Sequence, residues 1–474
     1  MEAIILAGGL GTRLRSAVSD RPKCLAPIGE GCKKERRENL QKACPPPDTG
    51  RGRGPLDTSY REAMAQETVG GAERAKRESP FGGFSAAACG TRPFLYYLLE
   101  DLGRQGVSRV ILSVGYKHEA VMEWMASQEW PFEVSYAVEE SPLGTGGAIR
   151  LALSMAREER VLVLNGDTFF QLPSLKALLE VEAPMALALK PMRDFDRYGE
   201  VSVDRPSRPD RESVIPSGKI SPRASLGRDD KSVLVTAFHE KRPCAEGLIN
   251  GGVYALDRGL FDGLGDLPEK FSFEKEALEP MAAKGKVRGL VSDGYFIDIG
   301  VPEDYARAQQ ELPELQRVLR AYTAALKMDA ETLFLDRDGV INRHLPGDYV
   351  KRWEAFVFLP GVLQMLARCA AHFRHIFVVT NQRGVGRGRM SRETLDAIHA
   401  RMASEIERSG GRIDAIYVST AIPDDDPTRK PQPGMFLAAC RDFPDISPGR
   451  SLMMGDSDSD EAFAAACGME FIMV

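Results

Sequence analysis

Apolar runs alternate with amphipathic segments along residues 1–311. Short runs rich in Val, Ile and Leu predict buried strands, and segments with apolar residues at every third or fourth position predict helices. The predicted strands are Val110–Val114, Val134–Val138, Val161–Leu164, Met185–Leu189 and Leu234–Phe238. The predicted helices are Pro93–Arg104, Glu119–Met125, Gly147–Ala156 and Leu175–Leu179. This alternation predicts an α/β domain with a Rossmann-like, mostly parallel sheet, in which ligands bind at the carboxyl ends of the strands.

A second α/β block begins at Thr332 and continues to residue 474. The segment between the two blocks, residues 312–331, predicts a connecting helix. Each block is long enough to form a domain with a core of its own. We therefore predict a domain at 1–311, a linker helix at 312–331 and a domain at 332–474.

Two polar stretches, residues 31–91 and 205–233, interrupt the first domain. They contain few aliphatic residues and many Gly, Pro and charged residues. Such segments cannot bury a core, so they predict disorder. They are either genuine insertions or non-native translation such as a retained intron, and we assign them no chemistry.

Composition narrows the class of protein and of partner. The 474 residues are 43% apolar, which suffices for globular cores, and a net charge of −6 gives no sign of nucleic-acid binding. No apolar run is long enough to span a membrane, and the chain opens with a strand rather than a leader peptide. The eight cysteines form no Cys-x-x-Cys pair, which predicts reduced thiols and a cytoplasmic protein. The oligomeric state stays open.

A glycine-rich turn follows the first apolar run. The sequence from Ile4 to Leu14 reads IILAGGLGTRL, and a lysine follows ten residues after its arginine. Glycines allow backbone N–H groups to approach a polyphosphate, and the two cations neutralise its charge. The alternative is an ordinary strand–turn–helix connection. We predict nucleotide contacts from Gly8, Gly9, Gly11 and Thr12, and catalytic roles for Arg13 and Lys23.

A second glycine loop, Gly144-Thr145-Gly146, lies between a predicted strand and a predicted helix. Its backbone would read the edge of a nucleotide base, unless the loop is only the start of a helix. Asn165, at the end of another predicted strand, is a further candidate for nucleotide binding.

Two strands of the first domain end on an aspartate. Asp167 follows one apolar strand, and Asp298 ends the sequence Phe296-Ile297-Asp298. Such carboxylates, together with phosphate oxygens, are ligands that suit Mg²⁺. Either aspartate alone is typical of a turn or a helix cap, whereas both beside a triphosphate loop favour a metal pair.

Other polar residues are candidates for contacts with a sugar phosphate. Lys241 would hold a phosphate and Glu240 a sugar hydroxyl, although both belong to a charge run that solvation alone would explain. Asn250, Gly251 and Glu274 would add polar contacts to the sugar.

Together these motifs resemble the sugar-1-phosphate nucleotidyltransferases over residues 1–311, apart from the two polar stretches. The most similar branch is that of the heptose 1-phosphate guanylyltransferases, with mannose-1-phosphate guanylyltransferases close behind. The matching blocks are Gly8–Lys23, Tyr136–Ala148, Asn165–Thr168, Asn250–Tyr254, Phe271–Glu276 and Phe296–Tyr305. The resemblance implies that a sugar 1-phosphate attacks the α-phosphorus of GTP or another NTP and releases pyrophosphate. It also implies Mg²⁺ held by Asp167 and Asp298, while residues 31–91 would fall beside the nucleotide site.

The second domain opens with LFLDRDGVIN, residues 333–342. This places Asp336 and Asp338 just past a strand, where Asp336 would attack phosphorus. Asp338 would protonate the leaving alcohol and then activate water. The alternative is a structural Asp-x-Asp turn.

Three later segments support the catalytic interpretation. Thr380 and Asn381 end an apolar strand, Arg429 and Lys430 supply cations, and Asp456 follows another strand within an acidic cluster. We predict phosphate contacts from Thr380, Asn381, Arg429 and Lys430. We predict Mg²⁺ ligands at Asp336, Asp338 and Asp456.

These segments resemble the haloacid dehalogenase (HAD)-type phosphatases over residues 332–474, and the heptose-1,7-bisphosphate and histidinol-phosphate phosphatase group in particular. The resemblance implies a HAD-like, Rossmann-type domain. Many members of that group carry a Cys/His zinc loop before the Arg-Lys-Pro segment. Here residues 419–428 contain neither residue type, so we expect no zinc, and Ser457 stands where the heptose enzymes often have lysine.

The two resemblances together predict a bifunctional enzyme of activated-heptose synthesis with Mg²⁺ in both domains. The phosphatase would remove the 7-phosphate of heptose 1,7-bisphosphate, and the transferase would couple heptose 1-phosphate to GTP. Two alternatives stay open. One is a mannose-1-phosphate guanylyltransferase fused to an unrelated phosphatase, and the other is a non-catalytic sensor of sugar nucleotides.

Overall fold

The computed structural model describes residues 1–9, 21–29, 91–204 and 232–474. Gly11, Thr12 and Arg13 lie outside the described residues, as do nearly all of the two polar stretches. Within the described ranges, no helix has the length and apolar character needed to cross a membrane.

Strands of very different length build the first domain. They are β1 (Glu2–Leu6), β2 (Pro27–Ile28), β3 (Arg92–Pro93), β4 (Arg109–Val114), β5 (Glu133–Val138), β6 (Arg160–Asn165), β7 (Thr168–Phe170), β8 (Met185–Phe195), β9 (Gly199–Asp204), β10 (Ser232–Lys241), β11 (Cys244–Asp257), β12 (Val287–Val291) and β13 (Phe296–Asp298). The main sheet has the order β5-β4-β1-β6-β11-β8-β12-β10-β9, and β2 with β3 and β7 with β13 form separate pairs.

One half of this sheet is entirely parallel, whereas the other half contains one parallel pair, β8 with β12, among antiparallel ones. β5, β4, β1 and β6 pair in parallel, whereas β11 runs antiparallel to β6 and β8, and β10 runs antiparallel to β12 and β9. The α/β fold is confirmed, and the sheet is mixed where we expected it to be mostly parallel. In the described part of residues 185–257 strand follows strand without a helix, and a parallel pair needs a long crossover between its strands.

Helices cover both faces of the parallel half and lead into the second domain. They are α1 (Phe94–Arg104), α2 (His118–Ala126), α3 (Gly144–Ser154), α4 (Leu175–Leu179), α5 (Glu279–Ala283) and α6 (Pro302–Ala325). The first four coincide with the predicted helices to within three residues at each end. The linker helix predicted at 312–331 is the second half of α6 up to Ala325, and residues 326–331 are not helical. Residues 311 and 312 therefore lie inside one continuous helix.

The second domain has a fully parallel sheet. Its strands are β14 (Thr332–Leu335), β15 (His375–Asn381), β16 (Ala415–Ser419), β17 (Ser451–Gly455) and β18 (Glu470–Met473), in the order β16-β15-β14-β17-β18. Its helices are α7 (Val362–His372), α8 (Arg383–Gly386), α9 (Arg392–Arg408), α10 (Gly434–Asp442) and α11 (Asp458–Cys467).

The central strand of that sheet is buried on both faces. Phe334 packs with Phe377 and Phe436 on one side. Leu333 and Leu335 point to the opposite side, because side chains alternate along a strand, and join a core that continues into α6 and the first domain. The two domains therefore share one apolar core around α6.

Candidate active sites

The aspartates predicted at two strand ends of the first domain lie together. β7 pairs antiparallel with β13 so that Asp298 lies opposite Thr168, and Ile299 N donates to Asp167 O at 3.0 Å. The pairing places both carboxylates at one end of the small β7–β13 sheet. Burial raises the pKa of Asp298, and the neighbouring charge of Asp167 raises it further.

Lys23 enters the same site. Its Nζ lies 2.5 Å from Asp167 Oδ2 and close to Asp298, whose pKa it lowers against the effect of burial. Gly300 keeps this space open, since a Cβ there would lie 2.8 Å from Asp298 Oδ1 and 3.1 Å from Lys23 Nζ. The structure thus brings together three predicted site residues, two carboxylates and one cation.

The predicted glycine turn is only partly described. Gly8 lies beside Glu139, because a Cβ on Gly8 would lie 2.7 Å from Glu139 Oε1, whereas a Cβ on Gly9 would meet none of the described residues within 4 Å. Asn165 packs against Gly252, which has a positive φ of 71° and no room for a side chain. Close approach to another part of the protein therefore explains the glycine at position 8.

The second glycine loop opens α3 and is fixed to the segment around Phe271. A Cβ on Gly144 would lie 2.5 Å from Phe271 O, and one on Gly146 would overlap the Phe271 ring. Thr145 Oγ1 donates to Glu274 Oε2 at 2.9 Å and accepts from the backbone N of Phe273 at 2.9 Å. The structure therefore joins a predicted nucleotide contact, Thr145, to a predicted sugar contact, Glu274.

Asn250 and Gly251 shape the fold of the site. Asn250 Nδ2 donates to Tyr254 OH at 2.8 Å, and its Oδ1 accepts from Gly252 N at 3.0 Å, across an irregularity in the β8–β11 register. A Cβ on Gly251 would overlap the Phe170 ring. Both residues are engaged within the protein, so any sugar contact they make is additional to a structural role.

The structure does not link Glu240 and Lys241 to this group. Both lie at the exposed end of β10, and neither side chain forms a hydrogen bond or ion pair with any described residue. The sequence interpretation missed Glu139, whose Oε2 accepts from Leu143 N at 3.1 Å and whose Oε1 faces Gly8. Its position just after β5 is the signal that could have identified it as the bridge between the two glycine loops.

The second site centres on a buried lysine. Lys430 Nζ lies 2.7 Å from Asp336 Oδ1 and 2.5 Å from Asp460 Oδ1, and its side chain is only 2% exposed. Burial raises the pKa of Asp336 to about 7, against the lowering effect of Lys430, and the charge of Asp460 adds to the rise.

Asp338 has a different environment. It accepts hydrogen bonds from Arg337 Nη2, Asn342 Nδ2 and Gln382 Nε2 at 2.8 to 2.9 Å. Burial acts to raise the pKa of Asp338, but Arg337 and these donors outweigh it, so the pKa is lowered. The two neighbouring aspartates therefore have pKa values shifted in opposite directions, which is typical of a pair with different roles.

Three carboxylates form a group that fits a divalent cation. Oxygens of Asp336, Asp456 and Asp460 all lie within 4.8 Å of one another, and this is the one such group among the described residues. Oxygen-only donors of this kind suit Mg²⁺. Asp338, which we predicted as a Mg²⁺ ligand, lies outside this group, and Asp460 is its third carboxylate instead. Asp456 directly follows β17 and Asp460 lies in the first turn of α11, so the acidic run over residues 456–460 is the signal that could have revealed Asp460.

The predicted phosphate contacts surround this group. Thr380 Oγ1 accepts from Gln382 Nε2 at 2.9 Å. Asn381 holds the backbone of Lys430, donating to its O and accepting from its N at 3.1 Å each. The amide of Asn381 therefore positions Lys430, while the Thr380 hydroxyl hydrogen stays free to donate.

Arg429 belongs to a charged cluster beside the site. It donates to Asp424 at 3.3 Å, and Arg383 forms an ion pair with the same exposed carboxylate. Both arginine side chains are mostly buried, and Arg383 Nε and Arg429 Nη1 have no hydrogen-bond partner among the described residues. Asp424, from the loop where the related group has zinc ligands, thus pairs with two mostly buried arginines beside the site.

Sequence analysis also missed a buried pair behind Asp338. Arg337 is 1% exposed, and its Nη1 donates to His399 Nε2 at 3.0 Å. Burial lowers the pKa of His399 to about 4, and the positive charge of Arg337 acts in the same direction. His399 is therefore neutral at physiological pH and acts as an acceptor that orients Arg337.

Comparison with known proteins assigns a class to each half. Residues 86–314 match a family described as nucleotidyl transferase, and residues 427–474 match one described as HAD-hydrolase-like. The second match contains Lys430, Asp456 and Asp460. The fold and the two sites thus define a nucleotidyltransferase joined to a HAD-like hydrolase.

Individual relatives sharpen these classes. The chain is 36% identical over 316 residues to D-glycero-alpha-D-manno-heptose 1-phosphate guanylyltransferase of Aneurinibacillus thermoaerophilus, covering 66% of this chain and 98% of that protein. It is 43% identical over 129 residues to D-glycero-alpha-D-manno-heptose-1,7-bisphosphate 7-phosphatase of Mycobacterium bovis, covering 27% of this chain and 68% of that protein. The crystal structure of HddC from Yersinia pseudotuberculosis aligns with 65% of this chain and 98% of that chain, at 27% identity and a TM-score of 0.43. The chain belongs to the heptose 1-phosphate guanylyltransferase family in its first part and to the heptose-1,7-bisphosphate 7-phosphatase family in its last part.

Proposed function

We propose that this chain is a bifunctional enzyme of nucleotide-activated heptose synthesis. Its second domain hydrolyses the 7-phosphate of heptose 1,7-bisphosphate, and its first domain transfers a guanylyl group from GTP to the resulting heptose 1-phosphate. The observation that carries the proposal is that the relatives of the two halves act on consecutive intermediates, so that the product of one domain is the substrate of the other. The Aneurinibacillus guanylyltransferase and the Mycobacterium phosphatase are both named for the alpha anomer, which we propose for this substrate as well.

Asp336 is the proposed nucleophile of the phosphatase. An Asp336 oxygen forms a bond to phosphorus while the bond between phosphorus and the sugar O7 breaks, and Asp338 gives its proton to the leaving oxygen. Asp338 then takes a proton from the water that hydrolyses the aspartyl phosphate. The hydrogen-bond donors around Asp338 favour its ionised form, which is the form that accepts a proton from water in the second step. In the first step Asp338 must carry a proton, and the negative charge of the bound phosphate ester would raise the pKa of Asp338 accordingly.

Asp336, Asp456 and Asp460 would hold Mg²⁺ in this domain, where the ion would neutralise phosphoryl charge and keep Asp336 ionised. Lys430 holds Asp336 and Asp460 in place through its two ion pairs. The Thr380 hydroxyl would donate to a phosphoryl oxygen.

The phosphate that is not hydrolysed needs a subsite of its own. Arg383 follows Gln382, which contacts Asp338, and Arg429 precedes Lys430, which contacts Asp336. Both arginines therefore lie at the rim of the site, and each carries a buried N–H group for which the described residues offer no partner. We assign the 1-phosphate to this arginine pair, with Asp424 as the group that the phosphate displaces.

In the transferase domain, Asp167 and Asp298 would hold Mg²⁺, and Lys23 balances their charge. Catalysis in such a site consists mainly of positioning and charge neutralisation. We propose that Arg13 assists Lys23 on the triphosphate and that Gly8, Gly9 and the Gly144–Gly146 loop contact the nucleotide. Glu240, Lys241, Asn250, Gly251 and Glu274 are the proposed sugar-phosphate contacts.

Two separate assays test the proposal. With heptose 1,7-bisphosphate and Mg²⁺ alone, the full chain should release one phosphate per sugar and leave the 1-phosphate in place. With heptose 1-phosphate and GTP, it should release pyrophosphate and form GDP-heptose. Faster turnover of mannose 1-phosphate than of heptose 1-phosphate would contradict the assigned sugar, and no turnover of any sugar phosphate with any NTP would contradict the transferase assignment.

A further inference from the structure

Helix α6 takes part in both domains. Its first residue, Pro302, follows Asp298 by four positions, and its second half packs on the loop just after Asp338. Val318, Leu319 and Tyr322 on this half are buried in the shared core. The helix is thus one continuous element, with Pro313 inside it, that has one end at the transferase site and its later turns at the phosphatase site.

Three polar side chains of α6 contact three residues of the phosphatase loop. Glu314 forms an ion pair with Arg343 at 2.8 Å, and Tyr322 OH donates to the backbone O of Val340 at 3.4 Å. The contact closest to the chemistry is that of Arg317, whose Nη1 donates to the backbone O of Gly339 at 3.3 Å.

Gly339 is a critical point of that loop. It follows Asp338 directly, adopts a positive φ of 84°, and donates through its N to Asn342 O at 2.7 Å. Asn342 in turn donates to Asp338 at 2.8 Å. On its other side the Cα of Gly339 packs against the carboxylate of Asp456. A shift of Gly339 would therefore move Asp338 and Asp456 together.

We infer that Arg317 is a positioning residue of the phosphatase site, supplied by the helix that completes the transferase domain. It fixes the carbonyl of Gly339, and through this turn it sets the position of Asp338 relative to Asp456. The inference rests on the proposed phosphatase function for its kinetic test and on the proposed cation site for its binding test.

The test compares Arg317→Gln with Arg320→Gln and Arg317→Lys in the full chain. Arg320 lies one turn further along α6 but pairs with Glu100 and Tyr96 of the first domain, so it is a matched control. With p-nitrophenyl phosphate as substrate, Arg317→Gln should lower kcat roughly 10-fold and raise the Mg²⁺ concentration for half-maximal rate by a similar factor, since supporting contacts of metal ligands have effects of this size. Arg320→Gln should change neither quantity, and Arg317→Lys should restore part of the loss. A kcat and Mg²⁺ dependence equal to those of the unmodified chain in Arg317→Gln would overturn the inference.

A second readout does not depend on turnover. Titration with Mn²⁺, followed by electron paramagnetic resonance, measures cation binding directly, and an Asp298→Asn background removes the proposed site of the first domain. Arg317→Gln should weaken binding at the remaining site roughly 10-fold. Equal binding with and without Arg317→Gln would contradict the inference. A chain that binds Mn²⁺ in this way but hydrolyses no phosphate ester would instead disprove the proposed phosphatase function alone.

Discussion

The Cα of Gly339 packs so closely against the carboxylate of Asp456 that a Cβ on Gly339 would overlap Asp456 Oδ2. The two residues come from separate strand ends, β14 and β17, which are hydrogen-bonded neighbours in the sheet. Because Gly339 has no side chain, the carboxylate of Asp456 can lie directly against its Cα.

Replacing Gly339 by alanine should abolish phosphatase activity. The Cβ would displace Asp456, and the positive φ adds a strain of about 1 to 2 kcal/mol. We expect at least a roughly 100-fold loss of phosphate release, with pyrophosphate release unchanged. Gly347→Ala is the matched control, because Gly347 also has a positive φ of 75° but has open space where the Cβ would lie. A similar loss of phosphate release in both variants would show that backbone strain causes it, and would contradict a role for the close contact with Asp456.

Stability should fall on acidification because of His399. Its pKa is lowered in the folded protein to about 4 from an ordinary value of 6.5, so the unfolded chain binds a proton in that interval and the folded chain does not. The contribution of His399 to the free energy of unfolding is fully present above pH 6.5. It is lost as the pH falls towards 4, and the whole loss is roughly 3 kcal/mol. His399→Gln keeps an acceptor for Arg337 and should flatten this part of the pH dependence in chemical denaturation. Parallel curves for the two proteins between pH 7 and pH 4.5 would argue against a buried neutral histidine.

Arg383→Gln should weaken binding of the phosphate that is not hydrolysed, without affecting the phosphate that is. We expect KM for the bisphosphate to rise at least about 10-fold, because a charged hydrogen bond is worth roughly 1.5 to 3 kcal/mol. The KM for p-nitrophenyl phosphate, which has no second phosphate, should not change. Arg392→Gln, which removes an exposed arginine paired with Asp396, is the control. An equal rise in KM for both substrates would contradict the assignment of the 1-phosphate to Arg383.

Lys23→Met should inactivate the transferase alone. Without the cation, Asp167 and Asp298 repel each other, and charge on the triphosphate loses a neutralising partner. We expect pyrophosphate release to fall roughly 100-fold or more, with the rate of phosphate release retained. Lys176→Met removes a lysine from the exposed pair with Glu180 and should change neither activity. Full transferase activity in Lys23→Met would show that the ion pair is only structural.

Local pattern was sufficient to predict where strands end and which polar residues follow them. Asp336 and Asp456 were predicted in this way, because the ends of parallel strands meet at one edge of a sheet. Glu139, Asp460 and His399 were missed, since their roles depend on contacts between segments that are distant in sequence or on burial. Arg317 was hidden for the same reason: only the packing of α6 on residues 339–343 brings it to Gly339. The mixed half of the large sheet likewise depends on strand pairing, which periodicity does not specify.

The most direct test of the central claim is one reaction followed by ³¹P nuclear magnetic resonance. The full chain is supplied with heptose 1,7-bisphosphate, GTP and Mg²⁺, in parallel with Asp336→Asn and Asp167→Asn. We expect equal amounts of phosphate, pyrophosphate and GDP-heptose from the unmodified chain. We also expect unreacted bisphosphate with Asp336→Asn, and heptose 1-phosphate without nucleotide sugar with Asp167→Asn. Formation of GDP-heptose by either variant at the rate of the unmodified chain, or its absence from all three reactions, would contradict the account.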